Sequence, residues 1–165
     1  MHVDSAIKGR RSVREYGCSM PEDKDIRAVL EAGVRAPSGL NNQPWRFKVV
    51  DDGNTLSAMA EYTKYGDVIK NAPVVICVFL DREAVYDREK DIMAVGACIQ
   101  NILLSAYGRG LGTCWLGEIL NRKDEVTDLL GVPSGLELMA VITAGEPSGI
   151  QEKRGRLPLD EVMIR

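Results

Sequence analysis

Residues 91–107 read DIMAVGACIQNILLSAY. Within them Ile92, Val95, Ile99, Ile102 and Ala106 recur at steps of three and four, and Met93, Ala97 and Leu104 widen the apolar stripe almost all round. A helix from about Asp91 to Tyr107 with so little polar surface has to be buried. In a chain of 165 residues it must be wrapped by the rest of the fold or packed against a second subunit, and both are expected. Downstream, a glycine-broken strand runs from Leu111 to Leu116, a helix capped by Asn121 from Arg122 to Leu130, and a buried strand from Leu138 to Ala144. Upstream, Val74 to Leu80 is a continuous apolar run suited to a strand covered on both faces. Trp45, Phe47 and Val49 alternate with Arg46 and Lys48, as in a half-buried strand. Helices are expected over Asp4 to Gly9, with Asp4 as its cap, over Pro21 to Val34, and over Asn54 to Tyr62; the run Ala36-Pro37-Ser38-Gly39 stops the second. The tail is basic from Gly149 and apolar at Val162 to Ile164, a strand-like end able to pair with a partner's sheet edge. No repeat, low-complexity tract or linker divides the chain, so one domain over residues 1–165 is expected.

Composition narrows the chemistry. With 45% hydrophobic and 27% charged residues the chain is of ordinary globular type, and at this length about 68–70% of the unfolded surface is buried without staples. The only histidine is His2, and the four cysteines, at 18, 77, 98 and 114, are never closer than 16 positions. There is thus no internal Ser-His or Cys-His pair, no metal-binding CxxC or HExxH spacing and no dithiol. Chemistry has to come from carboxylates, amines or a borrowed cofactor. A net charge of −3 gives no global attraction to nucleic acid or anionic membrane. No signal peptide or membrane span is expected, and scattered cysteines in such a chain suit a reducing cytoplasm.

Four clusters remain. Lys8-Gly9-Arg10-Arg11-Ser12-Val13-Arg14 packs four cations and a hydroxyl into seven positions; it suits a phosphate and, taken alone, equally a solvated basic turn. The run from Ala36 to Trp45 is rich in turn formers and in amides able to match the edge of a heteroaromatic ring, and alone reads as well as a plain loop. Gly108 to Gly117 nearly fits GxGxxG, but from Gly110 the last glycine would fall where Trp115 stands, and the run follows a helix rather than a strand, so the dinucleotide reading fails. What survives is a backbone stripped of side chains where a flat ligand can approach. Lys153-Arg154-Gly155-Arg156-Leu157-Pro158 is a second basic cluster, and sequence alone does not show whether it meets the first.

Taken in order, Arg10-Arg11-Ser12-Val13-Arg14, Pro37 to Trp45, Gln100-Asn101 with Gly110 to Gly117, and Arg154 to Pro158 resemble the nitroreductase family of FMN-dependent oxidoreductases over nearly the whole chain. The resemblance implies an α+β fold: a mostly antiparallel central sheet flanked by helices, a long buried central helix, and a homodimer that exchanges C-terminal segments and holds FMN at its interface. It implies that Arg10, Ser12, Arg154 and Arg156 clamp the phosphate, with Arg11 beside them, and that Arg14 stands near the N1–C2=O edge of the ring. Pro37, Ser38, Gly39, Asn41 and Gln43 would come from the other subunit. Cys114, Trp115, Leu116 and Gly117 would run along the flavin, with the N–H of Leu116 or Gly117 facing N5. NAD(P)H would be the reductant and a nitroaromatic or quinone an acceptor, with no catalytic side chain, no metal, no nucleic acid and no membrane involved. Cys114 reads more simply as an apolar filler than as a redox thiol. In this resemblance Lys64 and the segment from Tyr62 to Tyr65 are candidate neighbours of the ring and its roof, and only Asp81 to Lys90 stands where larger members carry roofing helices. The alternatives are a flavin-storing or flavin-sensing protein without turnover, a specialised member with another acceptor such as a halogenated compound, and a nucleic-acid binder.

Overall fold

The computed structural model describes residues 2–149, 151 and 155–164. In chain order the elements are α1 (Val3–Gly9), α2 (Asp23–Val34), β1 (Trp45–Val50), α3 (Gly53–Ala60), α4 (Gly66–Lys70), β2 (Val74–Asp81), α5 (Arg88–Gly108), β3 (Gly112–Leu116), α6 (Lys123–Leu129), β4 (Leu136–Gly145) and α7 (Leu159–Val162). Single 3₁₀ turns occupy Gly39–Asn41 and Glu118–Arg122. The sheet order is β1-β2-β4-β3, antiparallel throughout, with β1 and β3 at the edges. This is the expected α+β architecture.

The two-residue period of β2 splits its apolar run between two cores. Val75, Cys77 and Phe79 face α3, α4 and α6, packing with Met59, Ile69 and Val126. Ile76, Val78 and Leu80 face α2 and α5, packing with Val29, Ile99 and Ile102. Covering on both faces is thus achieved in an antiparallel sheet. In β1 the alternation fails at its end: Val49 is exposed and Val50 is buried against the α3 side.

Helix α5 crosses the sheet against α2. Gly33 permits the close approach, because a Cβ there would stand 2.8 Å from Ile102 Cγ1 and 3.1 Å from Cys98 Sγ. Asn101 Nδ2 donates to the Ala32 carbonyl at 3.1 Å, a second bond to an acceptor that also takes the Arg35 N–H, and so ties α5 to the end of α2. The helix starts at Arg88 rather than Asp91, because Asp87 caps it by accepting the Lys90 N–H at 3.2 Å. It ends in a Schellman turn: Leu111 N–H reaches the Ala106 carbonyl at 2.9 Å while Gly110 takes φ +79°. By length and composition α5 could cross a bilayer, yet Val95, Cys98, Ile99 and Ile102 are buried in the core. Ile92 and Met93 on its other face are exposed, Met93 by 62%.

Several expectations are corrected. Asp4 lies inside α1, whose cap is His2, and serves the helix dipole from the first turn. Asn121 sits in the 3₁₀ turn that leads straight into α6, and its side chain bonds Glu118 instead of capping a helix. The apolar tail is not a strand up to Val162: Pro158 and the acidic pair Asp160 and Glu161 favour the helical turn α7. Leu157, Leu159, Val162 and Ile164 are all exposed. The five-residue α4 was not expected at all.

Candidate functional site

Leaving α1, the chain runs extended along the outer edge of β3. Ser12 bridges Thr113 in parallel sense, and the Val13 N–H donates to the Thr113 carbonyl at 2.9 Å. Gly112 makes room, since a Cβ there would stand 2.7 Å from Val13 Cγ2. The Tyr16 hydroxyl then locks the segment: it donates to the Val13 carbonyl at 2.6 Å and lies 2.7 Å from Thr143 Oγ1. Burial raises the pKa of this phenol well above its ordinary value, so it remains protonated.

This pairing also fixes the open part of β3. Thr113 turns its carbonyl outward, so the period of two sends the N–H groups of Trp115 and Gly117 outward and those of Cys114 and Leu116 toward β4. Of the two amides singled out by the resemblance, Gly117 therefore stands on the open edge and Leu116 inside the sheet. Cys114 is buried with Leu116 in the α3-side core. Burial raises its thiol pKa, and Arg14, Ser12 and Arg10, all close by, pull the other way.

Beside this edge lies a cavity of about 630 Å³, lined by Lys8, Arg10, Arg11, Thr113 and Gln151 among others, with no Asp or Glu among the described lining residues. The Arg10 guanidinium has its pKa lowered, first by burial, then by the positive charges of Arg156 and Arg11. The two basic clusters thus meet at Arg10, although Arg156 is distant in the chain. Arg11 lines the same cavity but also closes the end of α1, donating to the carbonyls of Lys8 and Arg10, each at 2.7 Å. Arg154 lies outside the described residues. Positive charges gathered in this way favour an anion with several acceptor oxygens.

The loop carrying Pro37, Ser38, Gly39, Asn41 and Gln43 is elsewhere in the single chain. Asn41 and Gln43 line a separate hollow of about 940 Å³ with Arg35, Ser105 and Arg109. Leu40, Asn41 and Gln43 all have left-handed backbone, with φ of 53°, 54° and 49°. Ser38 Oγ accepts the Gln43 N–H at 3.0 Å across the turn. Strain of this kind in non-glycine residues collects at functional segments.

Sequence reasoning missed Glu118. It follows Gly117 directly, and its carboxylate accepts from Thr63 Oγ1 at 2.5 Å and from the Lys64 N–H at 3.1 Å, which lowers its pKa. The segment from Tyr62 to Tyr65 is thereby tied to the end of the open edge. Lys64 Nζ lies 5.3 Å from the Tyr65 ring centroid, and the Arg122 guanidinium 5.4 Å from that of Tyr62. Thr113 and Gln151 were also missed, the first because its outward carbonyl depends on strand register and the second because a lone glutamine carries no signal.

Fold and site together define a class: an α+β protein with a cavity lined by cationic side chains set against an open sheet edge. The chain belongs to the nitroreductase family, whose family profile matches residues 7–65 and 60–146. A relative from Archaeoglobus fulgidus, provisionally named NADH dehydrogenase/NAD(P)H nitroreductase, is 36% identical over 144 residues, covering 86% of this chain and 83% of the relative. An iodotyrosine deiodinase from Thermotoga neapolitana is 30% identical over 183 residues, covering 96% of this chain and 94% of that protein. A crystal structure of a provisionally named nitroreductase from Desulfovibrio desulfuricans, in complex with FMN, superimposes with a TM-score of 0.95 at 42% identity, covering 100% of this chain and 96% of that one.

Proposed function

We propose that this chain is an NAD(P)H-dependent FMN oxidoreductase that passes hydride to a small acceptor such as a nitroaromatic or quinone. The observation that carries the reading is the cavity beside the open edge of β3, lined by Lys8, Arg10 and Arg11, where Arg10 also feels the positive charge of Arg156. The residues present fit FMN: clustered guanidiniums and the Ser12 hydroxyl suit its phosphate, and outward backbone N–H groups on a glycine-rich edge suit a flat polar ring. Bound there, FMN supplies a ring that accepts and returns hydride at N5. Arg10, Arg156, Ser12 and Arg154 would anchor the phosphate, with Arg11 closing α1 behind them. Arg14, close to Cys114, contributes positive charge beside the ring where negative charge gathers. The Gly117 N–H offers a donor on the open edge, and Cys114, Trp115 and Leu116 form the strand behind it. No side chain has to move a proton at the reacting atom, which accords with the lack of internal histidine.

The 165 residues act as one unit, and two copies complete the site. The exposed face of α5 and the exposed apolar tail are the surfaces for a homodimer with exchanged C-termini. In that assembly Pro37, Ser38, Gly39, Asn41 and Gln43 of one copy reach the ring held by the other, which accounts for their distance from Arg10 within a chain. Four free thiols, three of them buried, accord with a cytoplasmic setting. Likeness to an iodotyrosine deiodinase favours one second reading, a halogenated aromatic as acceptor.

The test is the absorbance spectrum of the purified protein before and after anaerobic addition of NADH or NADPH. A flavin spectrum that bleaches with either supports the reading. A folded, colourless protein that takes up no FMN refutes it, and bound flavin that stays oxidised with every reductant points instead to storage or sensing.

A further inference from the structure

Asp91 is fully buried, and its carboxylate is satisfied by hydrogen bonds rather than by an ion pair among the described residues. Oδ1 accepts from Asn42 Nδ2 at 2.8 Å, and Oδ2 accepts the backbone N–H groups of Tyr86 at 3.0 Å and Asp87 at 3.2 Å. Asn42 Nδ2 also donates to the Ala84 carbonyl at 3.0 Å, while its Oδ1 is buried without a partner among the described residues. Placing a carboxylate in such a position is costly, and leaving an amide oxygen unmet adds to the cost.

Both features converge on one short loop. Asn42 lies between Asn41 and Gln43, and these two with Leu40 hold left-handed backbone. Leu40 is 85% exposed, and Asn41 and Gln43 are exposed as well, so packing of their own side chains does not impose that conformation. A second grip lies beside the first: the Tyr86 hydroxyl covers Gly39, where a Cβ would stand 2.0 Å from it. Backbone of this kind persists only when its surroundings over-determine it, and here the surroundings are Asp91 and the short connection 82–87.

We propose that Asp91, acting through Asn42, is a positioning residue that holds the loop from Ser38 to Gln43 in the left-handed form that presents Asn41 and Gln43 outward to a flavin. The inference rests on the function proposed above, in which that loop meets FMN across a dimer. Asn42 is not one of the residues the resemblance assigns to the flavin, and its role is indirect: it transmits the buried charge to its two neighbours.

The test compares Asp91→Asn and Asn42→Ala with the parent protein, each as the full chain, with Glu137→Gln as a control for general destabilisation. Asp91→Asn keeps the shape and one acceptor but sets an amide N–H₂ against Asn42 Nδ2, and Asn42→Ala is the milder change should the first fail to fold. Both are expected to speed hydrogen exchange of the Gln43 N–H, which bonds Ser38 Oγ, in flavin-free protein. Both should weaken FMN roughly 10- to 100-fold, because apparent affinity falls with the fraction of loop in the competent form. The control should lower melting temperature without either effect. Unchanged Gln43 exchange in the variants overturns the proposal, as does a fall in melting temperature with FMN affinity intact. If the parent itself binds no FMN, the functional reading falls, and the exchange comparison still decides what Asp91 does to the loop.

Discussion

Replacing Arg10 by Gln separates a phosphate clamp from a merely basic surface. In the ligand-free protein the charge of Arg10 is disfavoured by burial and by Arg156 and Arg11, and no described carboxylate pairs with it. Removing that charge therefore relieves repulsion, and the melting temperature is expected to hold or rise slightly. With FMN present the sign reverses. A charge-assisted hydrogen bond contributes about 1.5–3 kcal/mol, so FMN affinity should fall roughly 10- to 150-fold. Riboflavin, which has the ring but no phosphate, should bind parent and variant alike to within about threefold. The assay is titration of flavin fluorescence at fixed ionic strength, run with both ligands on apoprotein, with a melting curve alongside. At saturating ligand the FMN-induced rise in stability should shrink by the same roughly 1.5–3 kcal/mol. Equal weakening of FMN and riboflavin would place Arg10 at the ring or in the fold, and unchanged binding of both would remove it from the site; either result refutes the clamp.

Other outcomes follow from the same geometry. Glu137 is 5% exposed and bonded by Arg88 at 2.7 and 3.0 Å and by Lys123 at 2.6 Å, and these partners, Arg88 first, hold its carboxyl at about 2. Because the folded pKa lies below the ordinary 4.5, the contribution to stability is complete above that pH and drains as pH falls toward 2; after solvent screening it amounts to roughly 1–2 kcal/mol. Denaturant midpoints of Glu137→Gln and parent should thus differ at pH 7 and converge near pH 2, and a constant gap would count against the ion cluster. Met93→Glu, on the exposed face of α5, should turn a dimer into a monomer in sedimentation velocity and cut FMN content, whereas an unaltered dimer would show that this face is not the interface. At pH 8 a thiol reagent should modify about one cysteine per chain rapidly, because Cys18 is exposed while burial pushes Cys77 and Cys98 up to about 12; fast reaction of three or four thiols would contradict the buried cores.

Legibility in the sequence tracks the range of the interaction that decides each feature. Every strand and the long helix could be read because their apolar periods are local records of burial: Val74 to Leu80 had to be covered on both faces whichever helices did the covering. Boundaries moved where a single side chain decides them, as when Asp87 starts α5 three residues early and Asn121 spends its amide on Glu118. Helix α4 is too short to show a period. The left-handed turn at Leu40 leaves no trace in a leucine, since its cause is Asp91, some fifty positions away.

The site follows the same rule with a sharper consequence. Each arginine cluster is visible as composition, but whether the two meet depends on the path of both chain ends around β3 and β4. That path is set by contacts of long range: Val13 on Thr113, Tyr16 between Val13 and Thr143, the Gly17 N–H on the Glu146 carbonyl and the Ser148 N–H on the Glu15 carbonyl, the last two both at 2.9 Å. Together they lay the N-terminal segment on one side of the edge strand and lead the C-terminal segment off its end, so the charge of Arg156 comes to bear on Arg10 in its cavity. Strand register then does for the ring what the arginines do for the phosphate, since the outward Thr113 carbonyl fixes which later amides remain open. Shifting the pairing of β3 with β4 by one residue would turn Gly117 inward and Leu116 outward, and would take from the edge the Thr113 carbonyl that receives the Val13 N–H, so the docking of the arginine-bearing segment and the ring-facing amide depend on one register.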